Sequence, residues 1–310
     1  MIAAFTMNVS IDRRYVVKEA RQGAVNRVQE CTYTAGGKGL NVSRVLHTLG
    51  QDVIAGGIAG GDAGRYILRR LDGEGIAHRF TQAAGESRSC INILDQATGS
   101  QTEYLEPGSP VSAEEYEAFL KDFDALCDQC KVITMSGSLP KGMDTKTYAQ
   151  LVERASAAGC KVLLDTSGAS LTNALDAKPY FIKPNEDEIK GLVGCDADNE
   201  QQVAEAAKQL HARGIAWVVV SMGSRGAMLV CDEGVFRGVP PKIQAVNTVG
   251  CGDSMTAAFA VATDKGMSPA EAMRYAVAVS AASAMSEGTG SLDVAVFEEL
   301  LPQVQVYTID

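Results

Sequence analysis

Apolar residues fall in short unbroken blocks along this chain, and most blocks are followed by a stretch with helical spacing. Ile2–Met7 reads as a buried strand ending in Asn8-Val9-Ser10-Ile11-Asp12. Tyr15–Lys18 and Val25–Thr32 alternate apolar and polar positions, which predicts short strands. Thr34–Asn41 then opens a helix with the stripe Val42, Val45, Leu46 and Leu49, stopped by Gly50. Val53–Ile58 predicts another strand, followed by Gly60–Gly64 and a helix to about Glu74. Cys90–Leu94 and Thr102–Leu105, around the turn Asp95–Gly99, read as a hairpin.

From Ser112 the alternation becomes regular. Ser112-x-x-Glu115 is a capping box for a helix to about Asp128. Val132–Met135, Val162–Asp165, Tyr180–Ile182 and Trp217–Ser221 predict strands, with helices over about Thr145–Ala158, Glu186–Val193 and Glu200–Arg213. Ala227–Cys231 and Val235–Val239 predict two more strands, and helices near Pro269–Ser286 and Val294–Leu301 close the chain. Such a pattern predicts a mainly parallel sheet covered by helices on both faces, with strands from about residues 12–34 and 86–106 set apart in a small sheet. Ligands in such folds sit at the carboxyl ends of the strands. The loops Asn8–Asp12, Ser136–Pro140, Lys183–Glu188, Ser221–Gly226 and Thr248–Asp253 all follow predicted strands.

The last of these loops carries the most chemistry. A strand-like approach, Ile243–Val246, runs into Gly250-Cys251-Gly252, then Asp253, Ser254 and a helix with Met255, Ala258, Phe259 and Ala262 on one face. Small residues at a helix N-terminus leave backbone N–H groups free to bind an anion. Asp253 would then stand as a base beside a phosphate-sized hole. Equally, Asp253 or Ser254 simply caps the helix after a glycine turn, and this stretch alone supports both readings. Gly36-Gly37-Lys38-Gly39 lacks the spacing of a P-loop, and Gly57–Gly64 lacks that of a dinucleotide site. The first, with Lys38 and Asn41 beside it, reads as a ligand loop; the second reads as a tight turn or a close helix–sheet contact.

Composition narrows the function. A chain of 310 residues, 46% hydrophobic and 21% charged, fits one enzyme-like domain over residues 1–310. Its net charge of −10 argues against nucleic acid or an anionic membrane surface as partner, but leaves room for an anionic small substrate met by local Lys and Arg. Met1–Ser10 predicts no signal peptide, no stretch predicts a membrane span, and eight cysteines then imply reduced thiols in a cytoplasmic protein. Cys127-x-x-Cys130 has no second pair at ligand spacing and only His47, His78 and His211 for company, so buried free thiols are expected there.

Four of these motifs, in order, resemble the ribokinase/PfkB carbohydrate kinases. Gly36-Gly37-Lys38-Gly39-x-Asn41 is similar to the first family signature, and Thr248-Val249-Gly250-x-Gly252-Asp253-Ser254 to the second. Ser136-Gly137-Ser138-Leu139-Pro140 and Asn185-x-x-Glu188 resemble further family elements. The resemblance implies a ribokinase-like three-layer α/β/α sandwich, an α/β fold with a mainly parallel central sheet and a small β-sheet lid. It implies Asp253 as catalytic base and Gly250, Cys251 and Gly252 as the anion hole. Asp12, Arg27, Gly36, Gly37, Lys38, Asn41, Arg88 and Ser138 match positions on the sugar side. Lys183, Asn185, Ser221, Gly223, Gly226 and Thr248 match the ATP side, and Glu188 is linked to Mg²⁺ through water or phosphate.

Within the family the chain is most similar to the 1-phosphofructokinase branch, with tagatose-6-phosphate kinases nearly as close. Asn26-Arg27, Arg88, Ser-Gly-Ser-Leu-Pro and Met255 fit a phosphosugar acceptor, because a sugar already carrying phosphate needs guanidinium groups to neutralise it. On its own, Arg88 in Glu86-Ser87-Arg88 reads as a solvated surface charge. The implied partners are ATP and a phosphorylated ketohexose, with a homodimer formed through the lid; a monovalent cation near Glu287–Gly290 is left open. Cys251 stands where the family has a small Ala and suggests sensitivity to oxidants. Asn247 replaces a frequent Asp, and Val9 a frequent Pro.

Overall fold

The computed structural model describes residues 1–309. From the N-terminus the elements are β1 (Ile2–Thr6), β2 (Ser10–Val17), β3 (Val28–Gly36), α1 (Lys38–Thr48), β4 (Val53–Gly60), α2 (Gly61–Gly73) and β5 (Ala77–Ala83). Then come β6 (Arg88–Asp95), β7 (Gln101–Leu105), α3 (Ala113–Cys127), β8 (Val132–Ser136), α4 (Thr147–Ala157), β9 (Lys161–Asp165) and α5 (Gly168–Ala174). The rest is β10 (Phe181–Ile182), α6 (Glu186–Val193), α7 (Glu200–Ala212), β11 (Trp217–Ser221), β12 (Ala227–Cys231), β13 (Gly234–Val239), α8 (Cys251–Lys265), α9 (Pro269–Ala284), α10 (Val294–Leu300) and β14 (Gln305–Ile309).

Ten strands form one sheet in the order β14-β13-β12-β11-β10-β9-β8-β1-β4-β5. Strands β11 through β5 of that order run parallel, and the β12, β13 and β14 edge is antiparallel. Its central strands are apolar on both faces, as a sheet covered twice requires. Ala3 and Phe5 of β1 pack with Phe119 and Phe123 of α3 and Tyr148 of α4. Ile2 and Ala4 point the other way, into the layer holding Val42 of α1, Phe259 of α8 and Met273 of α9. Three layers result, with the core divided by the sheet.

Strands β3, β2, β6 and β7 form a separate four-stranded sheet. The chain crosses between the two sheets four times: at Met7–Val9, Gly36–Gly37, Ala84–Ser87 and Glu106–Gly108. These crossings place the small sheet over the carboxyl ends of β1, β8 and β9.

The structure differs from the sequence expectation at identifiable places. β5 and β14 were not expected as strands; each lies at a sheet edge, with polar positions that weaken the apolar alternation. Helix α5 is a seven-residue element, too short to show a helical stripe. Ile243–Val246 is irregular: Pro240 and Pro241 precede it, Val246 is 61% exposed, and the Val246 N–H bonds to the Ala284 carbonyl instead of a strand partner. Helix α8 is buried all round from Asp253 to Thr263, because it lies between α1, α9 and the sheet.

Candidate active site

Helix α8 starts at Cys251, two residues before Asp253, and Gly250 at φ 86° is its N-cap. No side chain caps the first turn, and Gly250, Gly252 and Asp253 line a cleft. Ser254 bonds backwards instead, its Oγ donating to the Gly250 carbonyl at 3.1 Å and lying 2.8 Å from Ser283 Oγ. So neither Asp253 nor Ser254 is a cap; the Cys251 N–H reaches the Thr248 carbonyl at 3.4 Å, and the N–H groups of Gly252 and Asp253 are left for another acceptor. Gly252 lets Lys183 pack close to the helix start, since a Cβ there would lie 3.1 Å from Lys183 Nζ and push the ammonium back by a few tenths of an ångström.

Asp253 is 5% exposed, and its Oδ2 accepts from Asn41 Nδ2 at 2.8 Å. Burial pushes its carboxyl up to about 6; Lys38 and Asn41 act against this, while the nearby Asp165 charge adds to it. The group is therefore mostly ionised at neutral pH yet basic enough to take a proton. Asn41 is itself held by Arg44, whose Nη1 donates to Asn41 Oδ1 at 3.0 Å.

Asp165, at the carboxyl end of β9, was missed by sequence reasoning. Its Oδ1 lies 3.5 Å from Lys38 Nζ and its Oδ2 3.3 Å from Lys183 Nζ; Thr256 Oγ1 donates to Oδ2 at 3.2 Å. Burial works to raise this carboxyl, but the two lysines outweigh it and hold it below the ordinary range. Asp165 in turn is the main reason that Lys38 is pushed up to about 12. The available signal was an acid ending the otherwise apolar run Val162–Asp165 at the ligand-binding end of a parallel strand.

A cleft of about 700 Å³ opens between the small sheet and these groups. Of the residues expected on the sugar side, Asp12, Gly37, Lys38, Asn41, Arg88 and Ser138 line it. Gly36 sits behind Asp12, where a Cβ would fall 2.1 Å from the Asp12 carboxyl carbon. Burial raises the Asp12 carboxyl, and Ser10 Oγ donates to its Oδ1 at 2.6 Å. Arg88 is half-buried in the cleft, not a solvated surface charge. Arg27 lies apart, exposed on the loop between β2 and β3. The cleft also gathers Asn8, Arg13, Arg14 and Glu103, which sequence reasoning did not single out.

None of the residues expected on the ATP side lines this cleft; Lys183, Asn185, Ser221, Gly223 and Gly226 lie at or after the carboxyl ends of the neighbouring strands β10 and β11. Asn185 and Glu188 make a capping box on α6: Asn185 Oδ1 accepts from the Glu188 N–H at 2.8 Å, and Glu188 Oε2 from the Asn185 N–H at 2.9 Å. Glu188 also adds to the rise of Lys38. Ser221 ends β11 and bridges to Asn185, and Gly223–Gly226 turn the chain into β12. Thr248 is in the loop before α8, with its neighbours Asn247 and Val249 on the cleft wall. Among the described residues no three His, Cys, Asp or Glu side chains gather to hold a metal.

Burial pushes the Cys251 thiol up to about 11, and the Asp253 charge adds to the effect. A protonated thiol is a poor nucleophile, so the oxidant sensitivity suggested by the sequence does not follow from its surroundings. Cys127 and Cys130 are buried and free; Cys160 Sγ donates to their carbonyls at 3.3 and 3.0 Å.

Comparison with known proteins agrees with this geometry. Residues 6–295 match the pfkB family carbohydrate kinase description, and the chain belongs to that family. It is a sugar-kinase phosphotransferase. A Staphylococcus aureus protein provisionally classed as a phosphofructokinase is 30% identical, with a TM-score of 0.86 over 100% of this chain and 99% of that one. Escherichia coli phosphofructokinase-2, solved with substrates and products, is 26% identical, with a TM-score of 0.91 over 97% and 98%. Arabidopsis thaliana ribokinase, at 23% identity and a TM-score of 0.80 over 97% and 98%, shares the fold, so the ribokinase-like expectation is borne out.

Proposed function

We propose that this protein transfers the γ-phosphoryl group of ATP to a hydroxyl of a phosphorylated ketohexose, with fructose 1-phosphate as the first candidate. The observation that carries the reading is the buried Asp253 carboxylate beside the uncapped N-terminus of α8, in a cleft that also presents Arg88. Asp253 takes the proton from the attacking hydroxyl. The N–H groups around Gly250, Cys251 and Gly252 receive the charge on the transferred group. A loose phosphoryl-transfer transition state needs mainly position and charge neutralisation, so a base of modest strength suffices. Asp12 and Asn41 orient sugar hydroxyls, and Lys38 stands between Asp165 and the reacting atoms. Arg88 is placed for the phosphate that the sugar already carries.

Lys183, Asn185, Ser221, Gly223, Gly226 and Thr248 form the nucleotide shoulder in this reading. With no three-ligand cluster among the described residues, Mg²⁺ fits as an ion held by nucleotide phosphates and water near Glu188, only one of whose oxygens is used in the capping box. Bound there, it would offset negative charge on the phosphates. Escherichia coli phosphofructokinase-2 has been solved with potassium, which supports testing a monovalent cation near Glu287–Gly290.

Asn26-Arg27, Ser136–Pro140 and Met255 support a phosphosugar acceptor, and no single residue separates fructose 1-phosphate from tagatose 6-phosphate. Tagatose 6-phosphate is the second candidate, and fructose 6-phosphate the third, because the E. coli neighbour has been solved with it. An initial-rate assay coupled to ADP release across the three sugars decides among them. Fructose 1-phosphate is expected to give the highest kcat/KM, and Arg88→Ala to lower it at least tenfold, the loss of about one charge-assisted hydrogen bond. Equal rates on unphosphorylated fructose, or an inert Arg88→Ala, would refute the phosphosugar assignment.

The small sheet is read as a lid and a dimer surface. Its edge strands β3 and β7 expose Val28, Tyr33, Tyr104 and Leu105, and exposed apolar edges favour pairing with a second copy. Light scattering at micromolar concentration is expected to give twice the chain mass of 32.7 kDa; a monomer at all concentrations would end this reading. No helix of the described residues is long and apolar enough to cross a membrane.

A further inference from the structure

Arg88 is fixed by two backbone carbonyls. Its Nε donates to Asn8 O and its Nη1 to Glu106 O, each at 3.1 Å. An arginine carries five N–H groups in a rigid fork, so two such bonds set the plane of the guanidinium and leave the others for a ligand. The Asn8 carbonyl is therefore part of the mounting of Arg88.

Asn8 is itself anchored. It is 6% exposed, and its Nδ2 lies 3.2 Å from Pro107 O, 3.3 Å from Leu139 O and 3.3 Å from Ser138 Oγ. Pro107 is on the last crossing out of the small sheet, while Ser138 and Leu139 are in the loop after β8. One carboxamide thus ties two sheet crossings to the floor of the cleft, at the residue whose carbonyl holds Arg88. A buried amide with these partners is costly to remove, and its loss would free the Met7–Val9 crossing to shift.

We propose that Asn8 is a positioning residue for Arg88, and through it a determinant of where the acceptor's phosphate is held. The proposal deepens the function above and rests on Arg88 meeting that phosphate. Asn8 acts through its side-chain bonds on the place of its own carbonyl, and the carbonyl acts on the guanidinium.

The test is a double-mutant cycle in the full chain, with Asn8→Ser, Arg88→Ala and the combined variant, using the preferred sugar phosphate from the panel above. Asn8→Ser is expected to raise KM for the sugar phosphate by about tenfold, as for one misplaced charge-assisted bond, with KM for ATP within about twofold. Adding Asn8→Ser to Arg88→Ala should cost less than about twofold more, because residues acting as one unit are not additive. Full multiplication of the two effects, or an equal rise in KM for ATP, overturns the proposal. If Arg88→Ala alone leaves KM unchanged, the phosphate reading fails and this inference falls with it. An effective Arg88→Ala beside an inert Asn8→Ser sinks only the inference. Should Asn8→Ser fold poorly, the isosteric Asn8→Asp, which cannot donate to Pro107 and Leu139, must show the same KM split.

Discussion

Asp253→Asn is expected to lower kcat by about 10²- to 10⁴-fold, the usual worth of a positioned general base, while sugar-phosphate binding measured by calorimetry stays near wild type. The amide keeps the shape of the carboxylate but cannot accept the proton. Wild-type kcat/KM should fall as pH drops through about 6, where Asp253 becomes protonated. The same shift has an opposite effect on stability. A carboxyl raised by burial binds its proton more tightly in the folded state, so the fold loses stability as pH rises from the ordinary Asp value to about 6. Above that pH the buried charge is a standing cost, and Asp253→Asn should unfold a few degrees higher than wild type at pH 7. Turnover within tenfold of wild type would remove Asp253 from the role of base.

Asp165→Asn is expected to cost about 3–5 kcal/mol in urea unfolding at neutral pH, because it leaves the buried Lys183 without its counter-charge. Lys38 loses the same partner, so activity should fall in the folded fraction as well. A carboxyl held below its ordinary value stabilises the fold above that value and stops doing so as pH falls through its lowered one. Wild type should therefore lose more stability on acidification below about 4 than Asp165→Asn does. The Asp165 charge also helps to raise Asp253, so the acid limb of the pH–rate profile should move to lower pH in the variant. A stability loss under about 1 kcal/mol, with an unmoved acid limb, would show that Asp165 does not hold this network together.

Much of the central body was legible in the sequence, because β1, β8, β9 and β11 are short apolar runs and α3 carries its own capping box. Edge strands were harder: β5 and β14 are held by one neighbour each and need little apolar alternation. The glycines and acid of Gly250–Asp253 were visible, but ruling out Asp253 and Ser254 as helix caps required the helix start at Cys251. Asp165 was hidden for a different reason. Its importance comes from Lys38, far from it in sequence, and from Lys183 at the end of the next strand, brought together only by the order of β9, β10 and the start of α1. Asn8 was hidden similarly, since its partners lie about 100 to 130 residues away.

The four crossings between the two sheets limit how the small sheet can move. A unit joined by one linker can swivel, and one joined by two can still roll about the line between them. Four tethers along one border would remove both freedoms and allow only bending about a single axis, as of a flap. Arg88, Asn8 and Asp12 sit on or beside that border, where such bending would displace atoms least, while Val28 at the start of β3 and Gln101 at the start of β7 lie at the far end and would sweep the widest arc. In the function proposed above, the groups that meet the acceptor would ride on the stationary border of the flap, with Tyr104 and Leu105 beside them, and only the far end of the small sheet would swing.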